Sequence, residues 1–258
     1  MAPGAYVLAA NNRRRNGDGL VGLAEVALAD GQTTRAQVFL TEGARMTVTK
    51  KQLNPPEQAQ DAPQRGVGPP AVVFDYLGPR LAGGIQRGDG FVRGPRGESE
   101  HQIGLAPGPY ALRVRGIPRG GYLASVLVDG SPPLNGRIVI GDGGEHQTEV
   151  VIAYDSGTVE GSVSSPDGAL PRNAEIYLLP QNPVLPSDLV EASVDEMGAF
   201  RVAVGPGRYD VYALPRDAGW NLADPLDRQR LAGYRAGVEV RPGQTAPVKI
   251  KLAPLSSW

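Results

Sequence analysis

The sequence predicts an all-β protein built from tandem antiparallel β-sandwich domains with little helix. Glycine and proline account for 35 and 24 of the 258 residues, about twice their usual share, and both break helices and favour short strands joined by turns. A Pro-Gly-x-Tyr motif recurs about every 100 residues, which is the size of a small domain. Alternating apolar residues follow each copy, as in strands with one buried face.

The three copies of the motif are Pro3-Gly4-Ala5-Tyr6, Pro107-Gly108-Pro109-Tyr110 and Pro206-Gly207-Arg208-Tyr209, with tyrosines 104 and 99 residues apart. Proline followed by glycine predicts a turn in which the glycine takes a positive φ. The tyrosine is then expected to start a strand, with its ring on the edge of the core and its hydroxyl on a polar partner or water.

A hairpin with glycine at its turn is predicted after each motif. The three segments read GLAEVALADGQTTRAQVFL, GRIVIGDGGEHQTEVVIAY and AGVEVRPGQTAPVKIKL. The last repeat shows the complete order of seven short strands in about 100 residues, which is typical of a two-sheet sandwich. Those strands are expected at 158–163, 174–179, 190–194, 200–204, 209–214, 237–240 and 248–252. Between them, Leu222, Leu226 and Leu231 indicate either one or two helical turns or a long surface loop.

The repeat divides the chain into residues 1–43, 44–155 and 156–258. The first segment reads as the C-terminal half of a truncated unit, with strands at 6–10, 20–28 and 36–40. Either residue 1 is an interior point of a longer polypeptide, or a second chain completes the half unit by adding strands. The middle unit carries a Pro- and Gln-rich insertion at 52–71, expected to be an exposed loop or linker.

The last repeat resembles the carboxypeptidase regulatory-like domain, a transthyretin-like β-sandwich related in architecture to immunoglobulin-like domains. The resemblance implies a non-enzymatic scaffold, adhesion or spacer domain, of a kind found in tandem in large bacterial exported and outer-membrane-associated proteins. It brings no catalytic residues. The matching positions are Gly157, Val159, Gly161, Val163, Pro171, Ala174, Leu178, Asp195, Gly198, Phe200, Pro206, Gly207 and Tyr209.

Residue types that carry chemistry are scarce. The chain has no cysteine, and its two histidines, His101 and His146, lie far apart without a second metal-ligand residue at a useful spacing. Neither a nucleophile elbow nor a phosphate-binding loop is present. We therefore predict no catalytic, cofactor-binding or metal-binding residues and no cofactor. The net charge of −1 argues against a nucleic-acid partner, and no apolar run in this segment is long enough to span a membrane or act as a signal peptide.

Weaker candidates each have a plain structural alternative. The carboxylates Asp217, Asp224, Asp227 and Asp195-Glu196 do not have calcium-loop spacing and are expected to be turn residues. Arg87-Gly88-Asp89 matches an adhesion tripeptide but reads as turn chemistry. The basic stretch 11–16 is a candidate anion or partner site at a hairpin tip. Trp220, Tyr234 and Trp258 are candidates for stacking on sugars, or else core-edge packing.

These observations predict a non-catalytic structural protein of the cell surface or extracellular space, a repeating element of a fibre or stalk. Its expected partners are proteins, through self-association or a longer chain at residues 1–43. The alternative is a carbohydrate- or peptide-binding accessory module of a larger secreted enzyme. An exposed aromatic platform would favour the binding module, whereas open, complementary sheet edges would favour the structural protein.

Overall fold

The computed structural model describes residues 2–13, 19–55, 71–77, 100–118, 120–141, 143–165 and 173–255. Within these ranges, the regular structure is seventeen strands, one six-residue α-helix and one 3₁₀ turn. The prediction of an all-β fold with little helix is confirmed. The chain forms two compact units, one of residues 1–118 and 123–152, the other of residues 119–122 and 153–258. The sequence-based boundaries at 43 and 155 stay predictions.

The first unit contains three sheets, in the strand orders β1-β2-β3, β6-β4-β10-β8 and β5-β7-β9. Buried Ala44, Met46 and Val48 alternate along β4, and the whole of residues 71–74 in β5 is buried. The strands are β1 Gly4–Arg13, β2 Gly19–Leu28, β3 Thr41–Glu42, β4 Ala44–Leu53, β5 Ala71–Tyr76, β6 Glu100–Leu105, β7 Gly108–Arg115, β8 Tyr122–Val128, β9 Arg137–Ile140 and β10 Glu145–Ala153.

The second unit is a two-sheet sandwich with the orders β14-β11-β17 and β13-β12-β15-β16. All seven strands expected from the sequence are present, and their alternate residues, such as Val159, Ile176 and Val211, form one buried core. The strands are β11 Gly157–Ser164, β12 Ala174–Pro180, β13 Val190–Ser193, β14 Ala199–Val204, β15 Gly207–Pro215, β16 Arg235–Val240 and β17 Thr245–Lys251.

The segment between β15 and β16 contains helix α1, Pro225–Arg230, followed by a 3₁₀ turn. Of the two alternatives left open by the sequence, the helical one is therefore correct. Asp224 caps the helix by accepting a hydrogen bond from the Leu226 N–H at 2.9 Å, and Pro225 occupies the first helical position, where a missing N–H costs nothing. Leu222 and Leu231 pack with Tyr212 and Leu214 of β15 in a second, smaller cluster.

The two units share a strand order. The sheet β6-β4-β10 corresponds to β14-β11-β17, and β5-β7-β9 corresponds to β12-β15-β16. They differ in the segment that follows the tyrosine-motif strand. Between β7 and β9 the first unit inserts β8, which lies on the outer side of β10, and between β15 and β16 the second unit inserts α1. The repeat seen in the sequence is thus a repeat of topology as well as of motif.

One strand pair of the second unit departs from the predicted antiparallel arrangement: β11 and β17 pair in parallel over seven residues, from Thr158↔Thr245 to Ser164↔Lys251. A parallel pair requires the chain to cross over between its two strands, and here the crossover is the rest of the unit. Contacts in the first unit indicate the same direction for β4 and β10. The Arg45 N–H donates to the Gly144 carbonyl at 2.8 Å, while Lys51, further along, pairs with Glu149 at 2.7 Å.

The expected strand at 36–40 is also wrong. These residues lie outside any strand, and only Thr41–Glu42 joins the sheet, opposite Val21 and Leu20. Phe39 is 72% exposed. The physical reason is the parallel pairing just described: the counterpart of this segment in the second unit, β17, is a strand because β11 lies beside it.

Candidate functional surfaces

The three motif tyrosines make the same hydrogen bond. Each hydroxyl donates to the backbone carbonyl four residues upstream: Tyr6 to Ala2 at 2.6 Å, Tyr110 to Ala106 at 2.8 Å and Tyr209 to Gly205 at 2.8 Å. The intervening glycines have positive φ, as expected; that of Gly207 is 153°, where a Cβ is disfavoured. The motif is therefore a tyrosine corner that fixes how the chain enters the following strand.

The register after each corner is also the same. The motif glycine pairs with the last residue of the next repeat strand, as Gly4↔Leu28, Gly108↔Ile140 and Gly207↔Val240. Because a one-residue slip would turn every side chain to the other face, the shared register places corresponding side chains of the three segments on corresponding faces.

Removing the Tyr209 hydroxyl tests the corner. Tyr209→Phe leaves the buried Gly205 carbonyl without its donor and is expected to lower the free energy of unfolding by about 1 kcal/mol, measured by urea denaturation. Burial, followed by the charge of Asp188, raises the pKa of Tyr209 to about 12. Since an unfolded tyrosine ionises near pH 10, wild-type stability should hold up to about pH 10 and fall between pH 10 and about 12.

The variant should show a shallower alkaline fall than wild type, because it lacks that ionisable group. Tyr234→Phe, at a half-buried position outside the three motifs, is the matched control. Equal stability of Tyr209→Phe and wild type at neutral pH would contradict the structural role of the corner.

The parallel pair of β11 and β17 is a second feature with mechanical consequences. The Thr158 N–H donates to the Gln244 carbonyl at 2.8 Å at one end of the ladder, and the Leu252 N–H donates to the Ser164 carbonyl at 2.9 Å at the other. Because the first and last strands of the unit run in the same direction, the chain enters the unit at one end of this ladder and leaves at the other. Tension applied along the chain therefore acts along the strands, not across them.

The third feature is the segment 31–40. Its residues 38 and 39 lie directly on β2: a Cβ added to Gly22 would collide with the carbonyl oxygen of Phe39 and lie 2.9 Å from Cγ1 of Val38. Gly22 pairs with Ala10, on the face of the β1–β2 sheet that also carries Tyr6 and Leu8. The segment thus lies over part of this face without pairing in a ladder. We call it the inward face because its residues correspond to the buried residues of the other two copies, although Val7 on the opposite face is itself 1% exposed.

That inward face is less buried than its counterparts. Tyr6, Leu8, Val26 and Leu28 are all half-buried. The counterparts of Tyr6, Leu8 and Leu28 are buried in both other copies, as Tyr110, Leu112 and Ile140 and as Tyr209, Val211 and Val240. The counterparts of Val26, which are Ile138 and Val238, are half-buried like Val26 itself. Three of the four described residues on this face are therefore less covered than their counterparts in the other two copies.

Of the two histidines, only His146 has a described side chain. His146 Nδ1 lies 2.7 Å from Asp129 Oδ2, an exposed pair joining β10 to the turn after β8. His101 is on β6, and its side chain is outside the described part of the structure. Among the residues that are described, no group of three or more metal-ligating side chains comes together. The predicted lack of catalytic, cofactor and metal residues stays a prediction.

The carboxylates singled out from the sequence hold turns and a helix cap. Asp195 accepts the N–H groups of Met197 and Ala199 at 2.9 and 2.8 Å. Asp227, only 3% exposed, accepts from the Asn221 N–H at 3.0 Å and from Arg230 at 3.3 Å. Asp224 caps α1, as described above, whereas Glu196 and Asp217 are exposed.

The aromatic candidates that the structure describes are packed against other side chains. Trp220 and Tyr234 are half-buried against the Tyr212 cluster, together with Tyr177, and the Trp220 indole N–H donates to the Pro254 carbonyl at 2.9 Å. They form no open platform of the kind that stacks on sugars. Trp258, Arg87-Gly88-Asp89 and residues 14–16 of the basic hairpin tip lie outside the described residues.

Two further features have no signal in the sequence motifs. A shallow groove of about 990 Å³ lies along the β14-β11-β17 sheet, but its charges balance, with Arg201 lying 3.9 Å from Glu160. Lys50 continues the inward row of β4, and burial lowers its pKa. Its position is recognisable only from strand alternation, which puts it on the same face as Val48.

No helix in the described ranges is long and apolar enough to cross a membrane.

Comparison with known proteins gives no family: neither a family model nor a curated protein matches the chain. Among solved structures, the Bacillus anthracis TIE protein matches at 14% identity and a TM-score of 0.26, over 93% of this chain and 42% of that protein. A minor pilin of Streptococcus agalactiae matches at 13% and 0.30, over 83% and 98%. A streptococcal ancillary pilin matches at 15% and 0.26, over 98% and 76%. At these scores, the likenesses decide nothing about function, and the fold assignment rests on the structure of the chain itself.

Proposed function

We propose that this protein is a non-catalytic structural element of a bacterial cell-surface fibre or stalk, in which β-sandwich units transmit tension along the chain. The observation that carries the proposal is the parallel pairing of β11 with β17, the first and last strands of the second unit. Tension along the chain must shear all seven residue pairs of this ladder together, because the strands are drawn past each other lengthwise. If the strands were antiparallel and pulled from one end, the same bonds would break one at a time.

Three further observations support a structural role. The tyrosine corner and its register are repeated, as expected of tandem modules. The outer edge of β17 carries Pro247, which has no N–H to offer, and the charged Lys249 and Lys251, all of which discourage unwanted strand addition. The last repeat resembles carboxypeptidase regulatory-like domains, which implies a scaffold or spacer domain in exported proteins. Residues 1–43 are the proposed site of assembly or chain continuation.

The binding-module alternative receives no support from the described residues. The aromatic side chains that would form its platform are half-buried and engaged in packing. We therefore retain one proposed function, with an extracellular or cell-surface location as part of it.

Single-molecule force spectroscopy tests the proposal directly. The chain has no cysteine, so pairs of introduced cysteines give unique attachment points in the full-length protein. Ser156→Cys with Leu255→Cys pulls β11 and β17 in opposite directions along their length. Ser156→Cys with Gln244→Cys is the matched control, because both residues lie at the same end of the ladder and pulling there opens it one pair at a time.

The first pair is expected to rupture at a several-fold higher force than the second, since forced unfolding depends on the unfolding barrier in the direction pulled. Similar rupture forces for the two attachment geometries would overturn the tension-transmitting role. Both double variants should have the thermal stability of wild type, because Leu255 and Gln244 are exposed and Ser156 is half-buried.

A further inference from the structure

We propose that residues 33–40 accept an extended polypeptide strand in parallel, and that this strand has the alternating small and valine pattern of β11. The inference rests on the proposed structural function and deepens it by naming the partner of residues 1–43. It concerns an interaction surface made of the half-buried face of β1–β2 and the open backbone of residues 33–40, here called the acceptor surface.

Residues 33–40, here called the acceptor segment, and the two residues before them correspond one to one with β17 and its flanks. Both segments begin with Gly-Gln-Thr, at 31–33 and 243–245, and both reach a leucine nine residues after the glycine, at Leu40 and Leu252. Both also lie beside the strand that follows a tyrosine corner or beside its partner strand. Leu252 bridges Ala213, four residues after Tyr209, and residues 38–39 cover Gly22, the partner of Ala10, four residues after Tyr6.

Within the part of the chain that the structure describes, β17 has a ladder partner and residues 33–40 have none. The hydrogen bonds at the two ends of the β11–β17 ladder place the N–H groups of residues 246, 248, 250 and 252 toward β11. The corresponding N–H groups in the acceptor segment are those of Thr34, Ala36, Val38 and Leu40. None of these residues belongs to a strand. They form the edge on which the missing strand is expected.

At positions 38 and 39, the side chains of this segment match the two faces of β17. Val38 corresponds to the buried Ile250, and Phe39 corresponds to the exposed Lys251. A strand that completes the opposite sheet requires an inward apolar side chain at the first of these positions and an outward side chain at the second. The inward face, with Tyr6, Leu8, Val26 and Leu28 half-buried, supplies apolar area that the incoming strand and its sheet would bury further.

The other copies of the repeat identify the occupant. In the second unit, the place beside the last strand is taken by β11, whose Val159 and Val163 are buried and whose Gly161 lies against Val248. In the first unit, it is taken by β4, beside β10. Both occupants are the opening strand of a sandwich unit, so the acceptor surface fits a strand of that type and not a helix or a folded surface.

The test uses the full chain and a fluorescein-labelled peptide with the sequence of residues 157–165, GTVEGSVSS. Binding is followed by fluorescence anisotropy, and the site by amide hydrogen exchange. We expect saturable binding that protects the N–H groups of Thr34, Ala36, Val38 and Leu40 and leaves those of Arg35, Gln37 and Phe39 exchanging freely. The same peptide with V159D and V163D should bind at least about tenfold more weakly, because both inward valines are lost.

Two variants of the chain, at neighbouring positions on opposite faces, complete the test. Val38→Asp should abolish peptide binding, whereas Phe39→Lys, which reproduces the outward residue of β17, should retain it. Because Val38 contacts Gly22, circular dichroism of both variants checks folding. Absence of peptide binding, protection of the odd-numbered amides, or protection of 34–40 by dimerisation of the chain without peptide would each overturn the inference. None of these outcomes bears on the rupture forces of the second unit, so the two proposals fail separately.

Discussion

Gly161→Ala is expected to destabilise the second unit by about 3 kcal/mol, the upper part of the usual range for forced overpacking. Gly161 is in the central strand of its sheet, paired with Phe200 on one side and Val248 on the other. A Cβ there would collide with the Val248 carbonyl oxygen and lie 2.8 Å from the Val248 Cγ1 and 2.9 Å from the Phe200 ring. The obstacle is backbone, so the parallel ladder itself must open to admit a methyl group.

Gly237→Ala is the matched control. Gly237 is also a strand glycine, in β16, but no atom lies within 4 Å of where its Cβ would be. Its substitution should change stability by less than about 0.5 kcal/mol, the range usual for surface sites. Both tryptophans, Trp220 and Trp258, lie in the second unit, so tryptophan fluorescence during urea denaturation measures this unit alone. Equal midpoints for the two variants would contradict the close approach at Gly161.

Tyr212→Ala is expected to cost about 4 kcal/mol, as for other fully buried aromatic side chains. Tyr212 is 1% exposed and lies on the face of β15 that points away from the main core, under Leu222 and Leu231. Its removal leaves a cavity between the sheet and the 216–234 segment. This small cluster supplies the buried apolar contacts of that segment, so the segment should also lose hydrogen-exchange protection.

Two measurements separate packing from other effects at this site. Tyr212→Phe keeps the ring and should retain most of the stability that Tyr212→Ala loses. Leu226→Ala changes a side chain on the same helical segment that is 61% exposed, and should be close to neutral. If the 216–234 amides exchange at wild-type rates in Tyr212→Ala, the segment is held by something other than this cluster.

The sequence predicted the second unit well because its local signals agree with one another. The positions of its seven strands, the turn at Asp195–Gly198 and the tyrosine corner at 206–209 all follow from alternation and from the conformations that proline and glycine favour. These features involve residues close in the chain, which a single sequence can reveal.

The features that carry the proposals were harder to predict because they depend on distant pairing. Thr158 and Thr245 meet across the whole unit, and nothing in either strand's alternation says whether its neighbour runs parallel or antiparallel. The error at 36–40 has the same origin. Val38 and Leu40 have the alternation of a strand, but a strand also needs a partner, and alternation does not say whether one is there.

The position of β11 has a consequence for how the second unit is made. Its sheet has β14 on one side and β17 on the other, and β17 is the last strand of the unit to be synthesised. Until residues 245–251 have been synthesised, the central strand has an open edge, and the inward side chains Val248 and Ile250 are absent from the core. The sheet can therefore be completed only after all seven strands of the unit have been made, through contacts of high sequence separation that form slowly.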